Sequence, residues 1–182
     1  MDREERPGCW SFERFVRRMG ALPRDQFLAE CPGPILVQES EPAGPRLSET
    51  PPTFGTMMIS AASVQLAGPR FVHLVSKRAS NPFTAMITIG RAPNNDILLP
   101  YDEISKFHAF FLETASGFLI ADAQSTNGTY VRGQRLAPNQ PCPLRLDAGA
   151  EEVPIRLSGV SFTFTSARRL FDRLRRPSVA VA

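Results

Sequence analysis

Lysine is scarce in this 182-residue chain, which has only Lys77 and Lys106 among its 21 basic residues. The positive charge is therefore almost entirely arginine, and the formal net charge is +3. An excess this small is not typical of a dedicated nucleic-acid-binding protein, so we do not predict a nucleic-acid partner. Because arginine is common throughout, the two lysines are the basic positions worth locating.

Long apolar runs are also missing. No stretch approaches the roughly 18 consecutive apolar residues that a transmembrane helix needs. The first ten residues carry charges of both signs and have no apolar signal-peptide core. We therefore expect a cytoplasmic protein with no membrane partner.

Cysteine is represented by three single residues, Cys9, Cys31 and Cys142. Their odd number and wide spacing exclude a disulfide framework. No C-x-x-C pair is present and no cysteine has a histidine near it, which argues against a zinc site. We expect reduced thiols, no metal site and no cofactor.

Residues 1–37 are predicted to form a partly helical accessory segment. The apolar residues of its clearest stretch recur at helical spacing: Phe12, Phe15, Val16 and Met19. The stretch predicts a helix from Ser11, as N-cap, to Met19, and a second short helix after Pro23. Such a segment would cover the main domain, or it would act as an arm that binds a partner.

Residues 38–66 are predicted to be a linker rich in Pro, Ser and Glu, because such a composition buries too little apolar surface to fold. Residues 167–182 are predicted to be a basic C-terminal helix and tail, with Ser166 as N-cap and Pro177 as the stop. The helix would close the main domain, although its arginines could also contact nucleic acid or an acidic partner.

Residues 67–166 are predicted to form the main domain. Short β-prone segments recur there between turn signals, at 70–77, 84–90, 106–114, 117–123, 142–146 and 160–166. A small hairpin is expected over 128–136, with its turn at Arg132 and Gly133. Short strands at such regular spacing, with no helical pattern between them, predict an all-β sandwich.

Three loops of this domain carry groups that suit a phosphate. Arg91 follows a strand end, Ser105 and Lys106 offer a hydroxyl and a cation, and Asn127 offers an amide. Gly128 permits the positive φ of a tight turn that presents Asn127 outward. Two cations, a hydroxyl and loop N–H groups suit a dianionic phosphate better than they suit acid–base chemistry.

The motifs of this region resemble the forkhead-associated (FHA) domain family. The family pattern is matched by Gly90-Arg91, by Asn95-Asp96, by Ser105 with His108, and by the segment Asp122 to Thr129 with its Ser125, Asn127 and Gly128. The order and the spacing agree over roughly residues 69–166. The two departures are Lys106, where arginine is usual, and Gly149-Ala150, where Gly-Asp is common.

The resemblance implies an FHA-type sandwich of about eleven strands, which binds phosphothreonine peptides through loops at one end. It implies that five residues bind the phosphopeptide: Arg91, Ser105, Lys106, Thr126 and Asn127. It implies that three residues support the binding loops: Gly90, His108 and Gly128. The expected partner is a threonine-phosphorylated protein, such as a serine/threonine kinase or its substrate, and no enzymatic activity is expected.

Two alternatives remain open at this point. The sandwich could be a scaffold that binds partners without phosphate, using the N-terminal segment for assembly. Ser105 and His108 could also be a nucleophile and its base, although residues three apart on one loop rarely reach that geometry.

Overall fold

The computed structural model describes residues 8–40, 70–146 and 152–175. The strands in these ranges are β1 Cys9–Ser11, β2 Ile35–Gln38, β3 Phe71–Leu74, β4 Ile87–Gly90, β5 Ile97–Leu98, β6 Ala109–Thr114, β7 Gly117–Asp122, β8 Thr129–Val131, β9 Gln134–Arg135, β10 Cys142–Leu144, β11 Val153–Leu157 and β12 Val160–Thr165. The helices are α1 Phe12–Met19, α2 Arg24–Glu30 and α3 Ala167–Arg175. No helix of the described ranges is long and apolar enough to cross a membrane.

The strands form two sheets that pack face to face. One sheet has the order β1-β3-β2-β12-β11-β8-β9, and the other has the order β10-β7-β6-β4-β5. All pairs are antiparallel except β4 with β5. Fully buried side chains such as Ile89, Phe111 and Phe164 fill the space between the sheets. The predicted all-β sandwich is therefore confirmed.

A helical layer covers part of the outer face of the seven-stranded sheet. The side chain of Ser11 accepts a hydrogen bond from the backbone N–H of Arg14, so Ser11 is the N-cap of α1 as predicted. Phe15 of α1, Phe27 of α2 and Leu170 of α3 are buried in one apolar cluster with Ile35 and other sheet residues. The helices therefore belong to a second core.

Four strands were not predicted from the sequence: β1, β2, β5 and β11. Strand β2 matters most, because it lies between β3 and β12 inside the sheet although residues 1–37 were predicted to be an accessory segment. Its residues are all buried, since Leu36 faces the sandwich core and Ile35 and Val37 face the helices. A strand covered on both faces shows no polar–apolar alternation, which explains the miss.

Some predicted features lie outside the described residues. These are most of the 38–66 linker, Gly149-Ala150, and the tail with Pro177. The predicted domain boundaries stay predictions, although Gln38, the first residue of the predicted linker, is buried on β2. Cys31 is buried, and its burial raises the pKa of the thiol to about 11.

Candidate functional site

Three loops at one end of the sandwich carry the predicted site residues. Arg91 lies on the loop 91–96, Ser105 and Lys106 lie on the loop 99–108, and Thr126 and Asn127 lie on the loop 123–128. Each loop follows a strand of the five-stranded sheet, namely β4, β5 or β7. The fold therefore brings together site residues that are 14 to 36 positions apart in sequence.

His108 connects two of these loops from a buried position. The backbone N–H of Ser105 donates to its Nδ1 at 3.1 Å, and its Nε2 lies 3.3 Å from the carbonyl oxygen of Gly128. Because Nδ1 accepts, Nε2 carries the proton and donates to Gly128. Burial lowers the pKa of His108, although the Gly128 hydrogen bond and the nearby Asp122 charge act in the opposite direction. The neutral ring therefore supports both loops.

This geometry decides the question of a Ser105–His108 nucleophile and base. Both ring nitrogens of His108 are used in hydrogen bonds to backbone groups. The Ser105 hydroxyl instead lies near Thr126, whose backbone N–H donates to Ser105 Oγ at 3.1 Å. The histidine therefore has no nitrogen available to take a proton from the serine, and the hydrolase alternative fails on geometry.

Asp122 closes the loop 123–128 on itself. Its carboxylate accepts hydrogen bonds from the backbone N–H and hydroxyl of Ser125 and from the hydroxyl of Thr129 at 2.7 Å. The Ser125 hydroxyl also accepts the backbone N–H of Gly128 at 3.0 Å. Gly128 has a φ of +85°, the left-handed conformation expected there. This arrangement holds Thr126 and Asn127 at the exposed tip of the loop.

Two contacts join that tip to the loop 99–108. Ser105 Oγ bonds to Thr126 as described, and Nδ2 of Asn127 donates to the carbonyl oxygen of Glu103 at 2.8 Å. The Asn127 side-chain oxygen has no hydrogen-bond donor among the described residues. The Asn127 amide is therefore fixed in place with its acceptor free for a ligand.

Arg91 lies at the same end, next to Ser105. Its Nε donates to the carbonyl oxygen of Ile104 at 3.1 Å, and its backbone N–H donates to the Ser105 carbonyl at 3.0 Å. The terminal guanidinium nitrogens make no hydrogen bond to any described residue. The bond through Nε fixes the direction of the guanidinium and leaves two nitrogens able to bind an anion.

Gly90 permits the loops to come this close. A Cβ at Gly90 would lie inside contact distance of the Lys106 carbonyl oxygen and 2.9 Å from Nδ2 of Asn95. The Lys106 carbonyl accepts hydrogen bonds from Nδ2 of Asn95 and the backbone N–H of Ala92. The backbone of Lys106 is therefore held, while its side chain is exposed and forms no hydrogen bond or ion pair with a described residue.

Asp96 is a structural residue of the loop 91–96, and no role was assigned to it from the sequence. Its buried carboxylate accepts the backbone N–H groups of Arg78 and Thr88 and the side-chain amide of Asn81. It also forms an ion pair of 3.1 Å with Lys77, the second lysine of the chain. The Asn95-Asp96 motif of the sequence could have indicated this structural role, because a carboxylate between two loops is well placed to accept hydrogen bonds from several donors.

Comparison with known proteins identifies a family that matches this region. Residues 87–148 match the model of the family described as "FHA domain". This part of the chain is an FHA domain. FHA domains are interaction modules, and the matched range contains every predicted site residue.

Two curated proteins are similar to part of this chain. The transcriptional regulatory protein EmbR of Mycobacterium tuberculosis is 27% identical over 115 residues, which are 58% of this chain and 30% of EmbR. An ABC transporter ATP-binding/permease protein of the same organism is 44% identical over 50 residues, which are 28% of this chain and 6% of that protein. The chain thus spans less than a third of the length of either relative.

Among solved structures, M. tuberculosis EmbR in complex with a low-affinity phosphopeptide superimposes with a TM-score of 0.40. It is 30% identical and covers 45% of this chain and 20% of EmbR. A second solved structure, described as an analysis of phosphothreonine-dependent FHA domain interactions, has a TM-score of 0.37 and is 28% identical. The match covers 44% of this chain and 76% of that chain.

Proposed function

We propose that the FHA domain of this chain binds proteins phosphorylated on threonine and has no catalytic step. The observation that carries the proposal is the arrangement of Arg91, Ser105 and Asn127 at one end of the sandwich. The side chains of Arg91 and Asn127 donate to backbone carbonyl oxygens, and the backbone N–H of Ser105 donates to the side chain of His108, so the site is organised without a ligand. A preformed site loses little conformational entropy on binding, which favours affinity.

The roles follow from the chemistry of each group. The free guanidinium nitrogens of Arg91 and the Ser105 hydroxyl would bind phosphate oxygens, and Lys106 would add charge from its exposed position. Thr126 would contact the methyl group of the phosphothreonine. The free Asn127 oxygen would accept a backbone N–H of the bound peptide. Gly90, His108 and Gly128 would hold the loops without touching the peptide.

The partner chemistry implies a class of upstream enzyme. A phosphothreonine arises by phosphoryl transfer to a threonine hydroxyl, which is the reaction of serine/threonine kinases. We propose that the partner is such a kinase or one of its substrates, and that binding depends on that phosphorylation. Because the site suits a dianion, the unmodified threonine would bind far more weakly.

A peptide-binding assay tests this proposal. A library of phosphothreonine peptides, with the same peptides unphosphorylated, is titrated against the wild-type chain, Arg91→Ala and Ser105→Ala. We expect phosphate-dependent binding that falls about 10- to 100-fold in each variant, the range for loss of one hydrogen bond to a charged group. Arg132→Ala, which changes an exposed arginine at the opposite end of strand β8, is the control and should bind like the wild type.

Equal binding of phosphorylated and plain peptides by the wild type would refute the proposal and favour the phosphate-independent scaffold. Phosphate-dependent binding that survives both Arg91→Ala and Ser105→Ala would place the site elsewhere on the domain. Circular dichroism of each variant shows whether the fold is retained, as the partial exposure of both side chains leads us to expect.

A further inference from the structure

The outer face of the seven-stranded sheet has two halves with different surroundings. Around β2 and β3 it is covered by α1, α2 and α3, and Ile35, Val37 and Val72 are buried there. No described residue of β8, β9 or β11 belongs to that buried cluster. The half formed by these three strands therefore lies beside the helical layer, not under it.

This half carries a tyrosine with one arginine on each side of it. Strand register places Arg135 of β9 opposite Tyr130 of β8, and Tyr130 opposite Arg156 of β11. The side chains of Val131 and Ile155 point into the sandwich core, and these residues are next to Tyr130 and Arg156 along their strands. The three side chains therefore share the outer face, and we call them the basic row.

The basic row is held in place by its own contacts. The guanidinium of Arg156 lies 3.6 Å from the centroid of the Tyr130 ring, a cation–π contact. Arg156 Nη1 also donates to the carbonyl oxygen of Ser158. Arg135 has no such hydrogen bond within the described residues and is exposed. One arginine is thus fixed and the other is free to bind.

No carboxylate of the described residues neutralises this row. The described ion pairs of other arginines join Arg17 to Glu13, and Arg169 and Arg173 to acidic residues beside α3. Glu103 lies at the same end of the sandwich as the row and accepts the backbone N–H of Gly159 at 3.1 Å, and it forms no ion pair with Arg135 or Arg156. The row therefore presents two positive charges that have no acidic partner in this part of the structure.

The basic row adjoins the candidate phosphopeptide site through Gly128. The Arg135 guanidinium packs on Gly128 so closely that a Cβ there would be 2.6 Å from its Nε. Gly128 follows Asn127, and its carbonyl oxygen accepts the backbone N–H of Ser158, which is the residue contacted by Arg156. A peptide segment leaving Asn127 can therefore reach Arg135 within a few residues, at about 3.3 Å per extended residue.

We propose that the basic row binds acidic side chains of the phosphorylated partner, so that the site selects phosphothreonines with Asp or Glu a few residues away on one side. This inference rests on the proposed function. Charge complementarity favours an acidic partner segment over an apolar one, and Arg135 is the residue that distinguishes acidic from neutral sequences. Arg156 contributes charge from its fixed position against Tyr130.

The test is an aspartate scan around one phosphothreonine. A peptide with neutral flanks, and versions with Asp at each position from four before to four after the phosphothreonine, are titrated by fluorescence anisotropy. In the wild type we expect one or two adjacent positions on a single side to raise affinity about two- to fivefold, as exposed ion pairs do. The gain should shrink as salt is added.

Variants of Arg135 test whether the basic row produces the gain in affinity from the added Asp. Arg135→Gln should remove most of the gain and keep the affinity for the neutral phosphopeptide, whereas Arg132→Gln, at the other end of the same hairpin, should change neither. Arg135→Glu should reverse the preference, so that Lys binds better than Asp at the same position. Both changes keep a long side chain on an exposed strand, and circular dichroism checks the fold.

The possible failures are distinguishable. Loss of phosphate dependence in the wild type refutes the proposed function and this inference with it. Phosphate-dependent binding with a flat aspartate scan, or with a gain that survives Arg135→Gln, overturns the inference alone. Binding of duplex DNA or RNA that is lost in Arg135→Gln, without any aspartate gain, would make the row a nucleic-acid surface and also overturn it.

Discussion

The backbone N–H of Ser105 donates to Nδ1 of His108 at 3.1 Å, and this bond separates the two residues' roles. The histidine is fully buried and fixes the loop backbone, while the serine hydroxyl is directed to Thr126. One residue supports the site and the other belongs to its surface. The two should therefore respond differently to substitution.

His108→Ala should destabilise the fold, whereas Ser105→Ala should not. The first change leaves the Ser105 N–H and the Gly128 carbonyl without their partner, at a cost of about 1–3 kcal/mol for a buried polar group. The second removes a hydroxyl from a half-buried loop position, with an expected cost below about 1 kcal/mol. Urea denaturation of both variants measures the difference. Equal midpoints would contradict the assignment of His108 as the support.

Stability should also fall at mildly acidic pH because of His108. Burial lowers its pKa in the folded chain, while in the unfolded chain the pKa returns to its ordinary value of 6.5. Below pH 6.5 the unfolded state therefore binds a proton that the folded state binds only at lower pH. The stability that the neutral His108 ring contributes is present above pH 6.5, and it is lost as the pH falls from 6.5 through the lowered pKa of the folded chain.

Urea midpoints at several pH values between 5 and 7.5 measure this effect. His108→Gln, which has no titrating ring, serves as the control because His73 remains in both chains. We expect the wild type to lose more stability than the variant as the pH falls. Parallel pH profiles would show that His108 titrates alike in the folded and unfolded states.

Gly90→Ala should disturb the site through the backbone of Lys106. The new methyl group would collide with the Lys106 carbonyl oxygen, and overpacking of this kind costs about 1–3 kcal/mol. Gly33→Ala is the matched control, because a Cβ there would meet only the Val75 carbonyl oxygen at an ordinary 3.5 Å. Denaturation and phosphopeptide titration together check the prediction. A Gly90→Ala chain as stable as the Gly33→Ala chain would show that the loops can separate at no cost.

The sequence pointed to the loop cluster better than to some of the strands around it. Gly90, Ser105 and Gly128 belong to short motifs, and the structure places all three at one end of the sandwich. That these residues serve a phosphopeptide stays a prediction. Asp96 and Asp122 lie in the same motifs, but their roles depend on donors from loops that only the folded chain brings near. A hydrogen bond between distant segments has no periodic signal in the sequence.

Strand β2 was missed for a related reason. Three consecutive residues of this strand, Ile35 to Val37, are apolar because helices cover one face and the sandwich core covers the other. Burial on both faces arises only after the helical layer has packed, so it could not be inferred from alternation. The same layer explains why the predicted accessory helices contribute to a core.

The helical layer should unfold together with the sandwich. Phe27 is fully buried and its ring contacts Phe15 and Phe171 at centroid distances of 5.9 and 5.2 Å. Phe27→Ala should therefore cost about 3–5 kcal/mol. Phe83→Ala, in which the lost ring is 46% exposed, is the control and should cost far less.

Two optical probes test whether that unfolding is shared. Trp10 is the only tryptophan and lies against Phe15, so its fluorescence reports on the helical layer, while far-ultraviolet circular dichroism reports on the helices and the sheets together. Because β2 joins the two cores, we expect both probes to give one transition, which moves to lower urea concentration in Phe27→Ala. Fluorescence that changes before the dichroism would show that the helices detach from a sandwich that remains folded without them.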